Sequence, residues 1–324
     1  MKAVMRDRYG SPDVMQVKEI ERPTVVEGTV LVRIVASSVN AFDWRMLEGK
    51  PFLARLSEGL GSPKHPILGA DIAGCVEAVG PGVLDFQPGD AVFGDLGMAG
   101  CGGFAEYVAA PARSLALIPA GLSFEDAAAL PMAGIAALQS LRDVAKVQPG
   151  QKVLIHGAAG GVGTFAVQIA RLFGAEVTAL CSTGKLDLMR SLGADHVLDY
   201  TKEDFARRPE RYDVILGVNG NRSLGDFRRA LAPGGLYVMT GGGNRQLFQA
   251  LLLGGLTSAF RSTKVKIAET APTRADLEHL ADLALQGKIR PVIDRTYSLE
   301  QVPDAVRYVE QGLGRGKVLV RLVG

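Results

Sequence analysis

The sequence predicts an α/β protein of two domains, a barrel-like β domain into which a parallel-sheet β/α unit is inserted. Three observations carry that expectation. Up to about residue 125, short apolar runs alternate with glycine-rich turns. From Pro149-Gly150 onward, strand patterns alternate with helix patterns, and the chain closes on a further apolar strand at 317–323 that needs a sheet to join. A length of 324 residues is also more than one core comfortably fills. The expected organisation is residues 1–125 as the first part of the β domain, 126–268 as the insert and 269–324 as the return.

Each element has its own signal. Residues 30–37 form an apolar run broken by Arg33, the mark of a largely buried strand; 72–79, 91–93 and 104–109 are further strands, punctuated by Pro81-Gly82 and Pro88-Gly89. Ser123-x-x-Asp126 is a capping box opening an Ala/Leu-rich helical stretch interrupted near Pro131. Strands at 152–155, 177–180, 196–198, 213–216 and 236–240 then alternate with helices at 164–172, 185–192 and 224–231. Residues 246–260, with three consecutive leucines from Leu251, fit either a core helix or an oligomer contact. Thr273-x-x-Asp276 opens a helix with Leu277, Leu280, Ala281, Ala284 and Leu285 on one face, and Ser298-x-x-Gln301 caps another with Val302, Val306 and Val309.

Composition excludes several classes. A net charge of only +2, with arginines interleaved among acids, leaves no electrostatic footprint for nucleic acid; Arg207-Arg208 and Arg228-Arg229 read as solvated helix faces. The three cysteines, Cys75, Cys101 and Cys181, are too far apart for a metal-binding pair and suggest no disulfide framework. The N-terminus lacks the apolar run of a signal peptide and no stretch reaches 18 apolar residues, so no membrane association and a cytoplasmic location are expected.

The strongest local signal is HGAAGGVG, His156 to Gly163, between a strand ending at Ile155 and a helix with Phe165, Ala166, Ile169 and Ala170 inward. It reads as a dinucleotide fingerprint, Ala158-x-Gly160-x-x-Gly163. Gly160 lets the backbone approach a pyrophosphate, Gly163 lets the helix pack on the sheet, and the first-turn N–H groups of Gly161, Val162 and Gly163 face the phosphates. An NAD site places Asp or Glu at the end of the second strand to hold the ribose hydroxyls. Here that strand ends Ala179-Leu180-Cys181-Ser182-Thr183. Ser182 and Thr183 can donate to a 2′-phosphate, Lys185 can supply charge, and Tyr200 follows the third strand on the same side, so NADPH is the expected cofactor. Gly217, Val218 and Asn219 after the fourth strand, and Thr240, Gly241 and Gly242 after the fifth, fall at the strand ends where ligands bind and are expected to bracket ribose and nicotinamide. His156 reads as a turn residue rather than a general acid.

VNAFDWR (39–45), LGADIAG (68–74), HGAAGGVG, SLGADHVLDY (191–200) and RGKVLV (315–320) together resemble the quinone oxidoreductase branch of the medium-chain dehydrogenase/reductases, in family order and across nearly the whole chain. The resemblance implies a GroES-like catalytic domain with an inserted Rossmann domain, NADPH in an interdomain cleft, and a homodimer. It implies that Arg315 and Lys317 come near the nicotinamide end, with Arg315 standing where histidine is more usual. Zinc-dependent relatives carry a cysteine near position 40 and a histidine after Gly69. Here those positions resemble Asn40 and Ala70, and His65, Cys75 and Cys101 make no recognisable ligand spacing.

Without a metal there is no strong Lewis acid for oxidising a simple alcohol. Adding hydride to a quinone or a carbonyl-conjugated alkene instead needs alignment and a hydrogen-bond donor or two at the carbonyl oxygen. Asn40, ending a buried strand and resembling the family's cleft asparagine, is the first candidate for a catalytic role. Asp43 is a second, ordering the loop through Arg45 or a backbone N–H, and Phe42 and Trp44 are candidate apolar walls. The expected partner is a small electrophile. Two other readings stay open: a zinc alcohol dehydrogenase with atypical ligands, and a non-catalytic NADPH-binding structural or sensor protein.

Overall fold

The computed structural model describes residues 1–50, 52, 55–218, 222–241 and 263–322, the side chain of Ser57 apart. Asn219, Gly242 and the 246–260 segment lie outside the described residues. The chain forms two compact units, Met1–Ala133 with Pro272–Gly324, and Gly134–Ala271. The crossings come later than the 125 and 268 read from the sequence. The Ser123-capped helix stays with the β unit because it packs on four of that unit's strands.

In chain order the first unit contributes β1 (Lys2–Arg6), β2 (Met15–Glu19), β3 (Thr29–Val39), helices α1 (Ala41–Glu48) and α2 (Arg55–Glu58), β4 (Asp71–Val79), β5 (Ala91–Asp95), β6 (Tyr107–Pro111), β7 (Leu115–Leu117), α3 (Phe124–Ala129) and the start of α4 (Pro131–Gln139). Ser123 Oγ accepts the Asp126 N–H at 3.0 Å, so the capping signal marks a real helix start. β6 begins at Tyr107, not 104, because Phe104 is drawn under the sheet as a fully buried core residue.

The second unit holds β8 (Lys152–His156), α5 (Gly161–Leu172), β9 (Glu176–Cys181), α6 (Leu186–Ser191), β10 (His196–Asp199), β11 (Tyr212–Gly217), α7 (Leu224–Ala230), β12 (Leu231–Met239) and β13 (Lys264–Ile267). Every pairing in its sheet is parallel, in the order β10-β9-β8-β11-β12-β13. Counted from β8, that is 3-2-1-4-5-6, the doubly wound order with its switch point between β8 and β11. Val153, Leu154, Ile155, Val177, Ala179 and Ile215 are wholly buried, as strands covered on both faces require.

The return strand pair completes the first unit after α8 (Arg274–Leu285): β14 (Ile293–Ser298), α9 (Val302–Glu310) and β15 (Lys317–Arg321). The sheet order is β14-β15-β3-β4-β5-β7, with β6 also on β3. β3 is long enough to pair β6 with its first half and β15 with its second, along one edge, while β4 takes the other. Register then sets three polar positions in a row: Ser38 faces Asp71, Asp71 faces Asp95, and Val318 faces Val39, which puts Lys317 beside Asn40.

Candidate active site

In the second unit the chemistry lies in a backbone turn. Gly157 takes φ +84°, so it makes the left-handed turn that the first glycine of a fingerprint usually makes, one residue ahead of the buried Ala158. A Cβ on Gly163 would lie 2.3 Å from the Gly157 carbonyl oxygen and 2.5 Å from that of Ala158, so only glycine fits there. A Cβ on Gly160 would meet nothing nearer than 3.7 Å, so the outer face of the turn is open to a ligand's approach. α5 begins at Gly161, and its first-turn N–H groups leave the helix toward that face. The cradle fits a pyrophosphate.

The neighbouring strand ends support it. Val218 N–H donates to His156 O at 3.0 Å, Thr240 N–H to Gly217 O at 3.0 Å and Gly241 N–H to Gly217 O at 3.2 Å, while Thr240 and Ser140 hydroxyls meet at 2.6 Å. Gly217 is held without a side chain by Tyr237, whose hydroxyl would lie 2.3 Å from a Cβ. His156 is buried edge-on against Phe205 and Phe227, which agrees with a packing role.

At the end of β9, Ser182 is half-buried and Thr183 opens a short 3₁₀ turn ending at Lys185; Tyr200 is 60% exposed. Thr183, a phosphate donor by its place in the sequence, instead gives its hydroxyl to Asp199. Asp199 also accepts from Thr201 Oγ1 at 2.6 Å and Thr201 N at 3.0 Å, and these bonds hold its carboxyl below the usual carboxylate range. An acid therefore does stand at this end, one strand over, level with Cys181.

In the first unit the register row forms a buried polar cluster. Asp71, wholly buried, accepts at Oδ2 from Ser38 Oγ (2.6 Å), Asn40 Nδ2 (2.8 Å) and Lys317 Nζ (3.1 Å), and at Oδ1 from Met132 N (2.9 Å). Lys317, 1% exposed, also donates to Asn40 Oδ1 at 2.5 Å. Asn40 is thus fixed by an acceptor on its amide nitrogen and a donor on its oxygen. Asp43 caps α1 from below, accepting Asn40 N at 2.7 Å and Gly69 N at 3.1 Å, so it orders the loop through backbone N–H groups. Burial pushes the Asp43 and Asp95 carboxyls up to about 7, with Asp71 adding to both.

Asn40, Asp43 and Lys317 are legible in the sequence; Asp71, which bonds both Asn40 and Lys317, is not. Its one signal was a lone acid opening an otherwise buried strand, DIAGCV. Lys317 was expected near the cofactor, yet its ammonium is turned into the cluster. Arg315 is exposed and gives its backbone N–H to Asp294 at 3.0 Å. Trp44 packs against the core of Val4, Leu47 and Val302 rather than standing as a free wall. Among the described residues no three His, Cys, Asp or Glu side chains come together to hold a metal, and no helix is long and apolar enough to cross a membrane.

A doubly wound sheet headed by a glycine cradle, carried by a chain whose other unit is a bulged, mostly antiparallel sheet, is the architecture of a nucleotide-dependent oxidoreductase. Family models described as alcohol dehydrogenase GroES-like domain and zinc-binding dehydrogenase match residues 26–120 and 192–320. A 2-methylene-furan-3-one reductase of Solanum lycopersicum is 36% identical over 99% of this chain and 79% of its own. The quinone oxidoreductase of Coxiella burnetii is 28% identical, covers all of this chain and 99% of its own, and superposes with a TM-score of 0.88. Escherichia coli quinone oxidoreductase complexed with NADPH is 25% identical over 99% of this chain and 100% of its own, with a TM-score of 0.84. The chain belongs to the quinone oxidoreductase branch of the medium-chain dehydrogenase/reductase superfamily, and it is an enzyme.

Proposed function

We propose that this enzyme transfers hydride from NADPH to a quinone or a carbonyl-conjugated alkene, without a metal. The observation that carries the reading is the cradle, where Gly157 makes the turn, Gly160 is open and Gly163 admits no side chain. The bound dinucleotide supplies the hydride. The chain's own residues do the rest. Gly160, Gly161, Val162 and Gly163 hold the pyrophosphate, with Ala158 packed beneath. Ser182, Lys185 and Tyr200 meet the adenosine phosphate, and Gly217, Val218, Thr240 and Gly241 offer backbone groups toward the ribose and nicotinamide. Arg315 is a further candidate contact at that end.

Asn40 is the residue assigned to the substrate oxygen. Its amide is oriented by Asp71 and Lys317, and of the two Nδ2 bonds, to Asp71 Oδ2 at 2.8 Å and to Ser38 O at 3.5 Å, the long one to Ser38 is the one a developing oxyanion would replace. Asp43 and Asp71 are positioning residues. The related furanone reductase and quinone oxidoreductases support an activated alkene or quinone as the acceptor class. A homodimer and a cytoplasmic location complete the proposal. Mixing the purified enzyme with NADPH and a panel of quinones and enones tests it: NADPH oxidation by at least one acceptor is expected, and oxidation by none overturns it. Stoichiometric zinc in metal-analysed protein, needed for turnover, would favour the alcohol dehydrogenase reading instead.

A further inference from the structure

An acid beside the adenosine end of the cradle is at odds with a site tuned for a phosphorylated ribose. Asp199 ends β10 level with Cys181, the last residue of β9, so it stands beside the place where NAD-binding folds put their ribose-holding carboxylate. Its side chain is 6% exposed and faces Thr183, Thr201 and Lys202, whose Nζ is 3.9 Å away. Thr183 and Thr201 each carry one hydroxyl proton. Both protons are used inside this cluster: among the described residues the two hydroxyls bond Asp199 and, at 3.2 Å, each other. Two hydroxyls that flank the phosphate subsite are therefore withheld from it, and a full negative charge is held next to it.

We propose that Asp199 is a cofactor-discriminating residue that restrains the preference for NADPH, leaving NADH a competent hydride source. The proposal rests on the dinucleotide reading above. Its charge acts against the 2′-phosphate, and its two oxygens hold Thr183 and Thr201 as acceptors, which suits the 2′-hydroxyl of an unphosphorylated ribose. Lys185 and Ser182 act in the opposite direction, so the balance at this site is narrow.

Binding of 2′-phospho-ADP-ribose and of ADP-ribose, measured by calorimetry, separates the two effects from turnover. Asp199→Asn keeps an oxygen for the N–H and hydroxyl of Thr201 and turns an amide toward the Thr183 hydroxyl, which can accept from it, but removes the charge. It should tighten 2′-phospho-ADP-ribose by about five-fold, as expected for removing one charge near a phosphate at a solvated site, and change ADP-ribose less. An unchanged or lower ratio of the two affinities overturns the proposal. A second measurement needs no variant: in the native enzyme kcat/KM for NADPH and NADH should lie within about ten-fold of one another, roughly 1.4 kcal/mol. A preference for NADPH above about 100-fold overturns the proposal whatever the variant does. Binding of neither adenosine probe overturns the dinucleotide reading itself, and the proposal with it.

Discussion

The two units bury different things. Under the cradle of the second unit lies an apolar core in which Leu154, Ile215, Phe227 and Tyr237 pack with no exposed area, and the groups that meet the cofactor are backbone atoms at its rim. At the corresponding centre of the first unit, the Lys317 ammonium pairs with the Asp71 carboxylate, and the carboxyls of Asp43 and Asp95 are buried nearby on backbone N–H groups. One site works because side chains are missing and the other because buried polar side chains are matched, one ion pair among them. The difference teaches where each is fragile. The cradle fails when an atom is added, and the cluster fails when a partner is taken away.

The largest effect should come from the cluster. Lys317→Ala leaves Asp71 buried without its cation, and removing one member of a buried pair costs about 3–5 kcal/mol. Chemical denaturation of the variant should show a fall of that order, and a loss below about 1 kcal/mol would mean that the pair is solvated after all. Next is the cradle. Gly163→Val forces a Cβ into the 2.3 Å gap to Gly157 O, which should cost about 1–3 kcal/mol of stability and abolish NADPH binding seen by nucleotide fluorescence. Retained binding would show that α5 can move off the sheet.

Lys185→Ala should weaken NADPH by about ten-fold, a charge-assisted contact's worth, and NADH far less. Equal loss for both cofactors would remove Lys185 from the phosphate site. The smallest and most gradual effect is with pH. Asp43 and Asp95 rise from an ordinary 3.8 to about 7 in the fold, so between those values the native state holds protons that the unfolded chain has released. Stability from these groups is complete below about 3.8 and is lost as pH rises through about 7. Asp43→Asn should flatten that part of the stability profile; an unchanged slope would assign it to other groups.

Much of the second unit was legible because its signals are local. The cradle occupies eight consecutive residues, and five of the six strands among the described residues of this unit are apolar runs. β13 was missed because Lys264 and Lys266 interrupt the run, and β14 because none of its residues is fully buried. The first unit's cluster joins residues that are up to 277 positions apart, so only strand register brings them together. Asp199 escaped for a related reason: an acid at the ribose end was sought on the second strand, and it stands on the third. The pairing of β9 with β10, which no local pattern reports, moves it into place.

The central step is hydride passing from the nicotinamide to the electrophilic carbon of a conjugated acceptor. NADPH deuterated at the transferring position of nicotinamide C4, mixed with an enone, tests this most directly. The account predicts one deuterium at the carbon β to the carbonyl, with a slowed rate. Product reduced at the carbonyl, or cofactor left unconsumed, would contradict it.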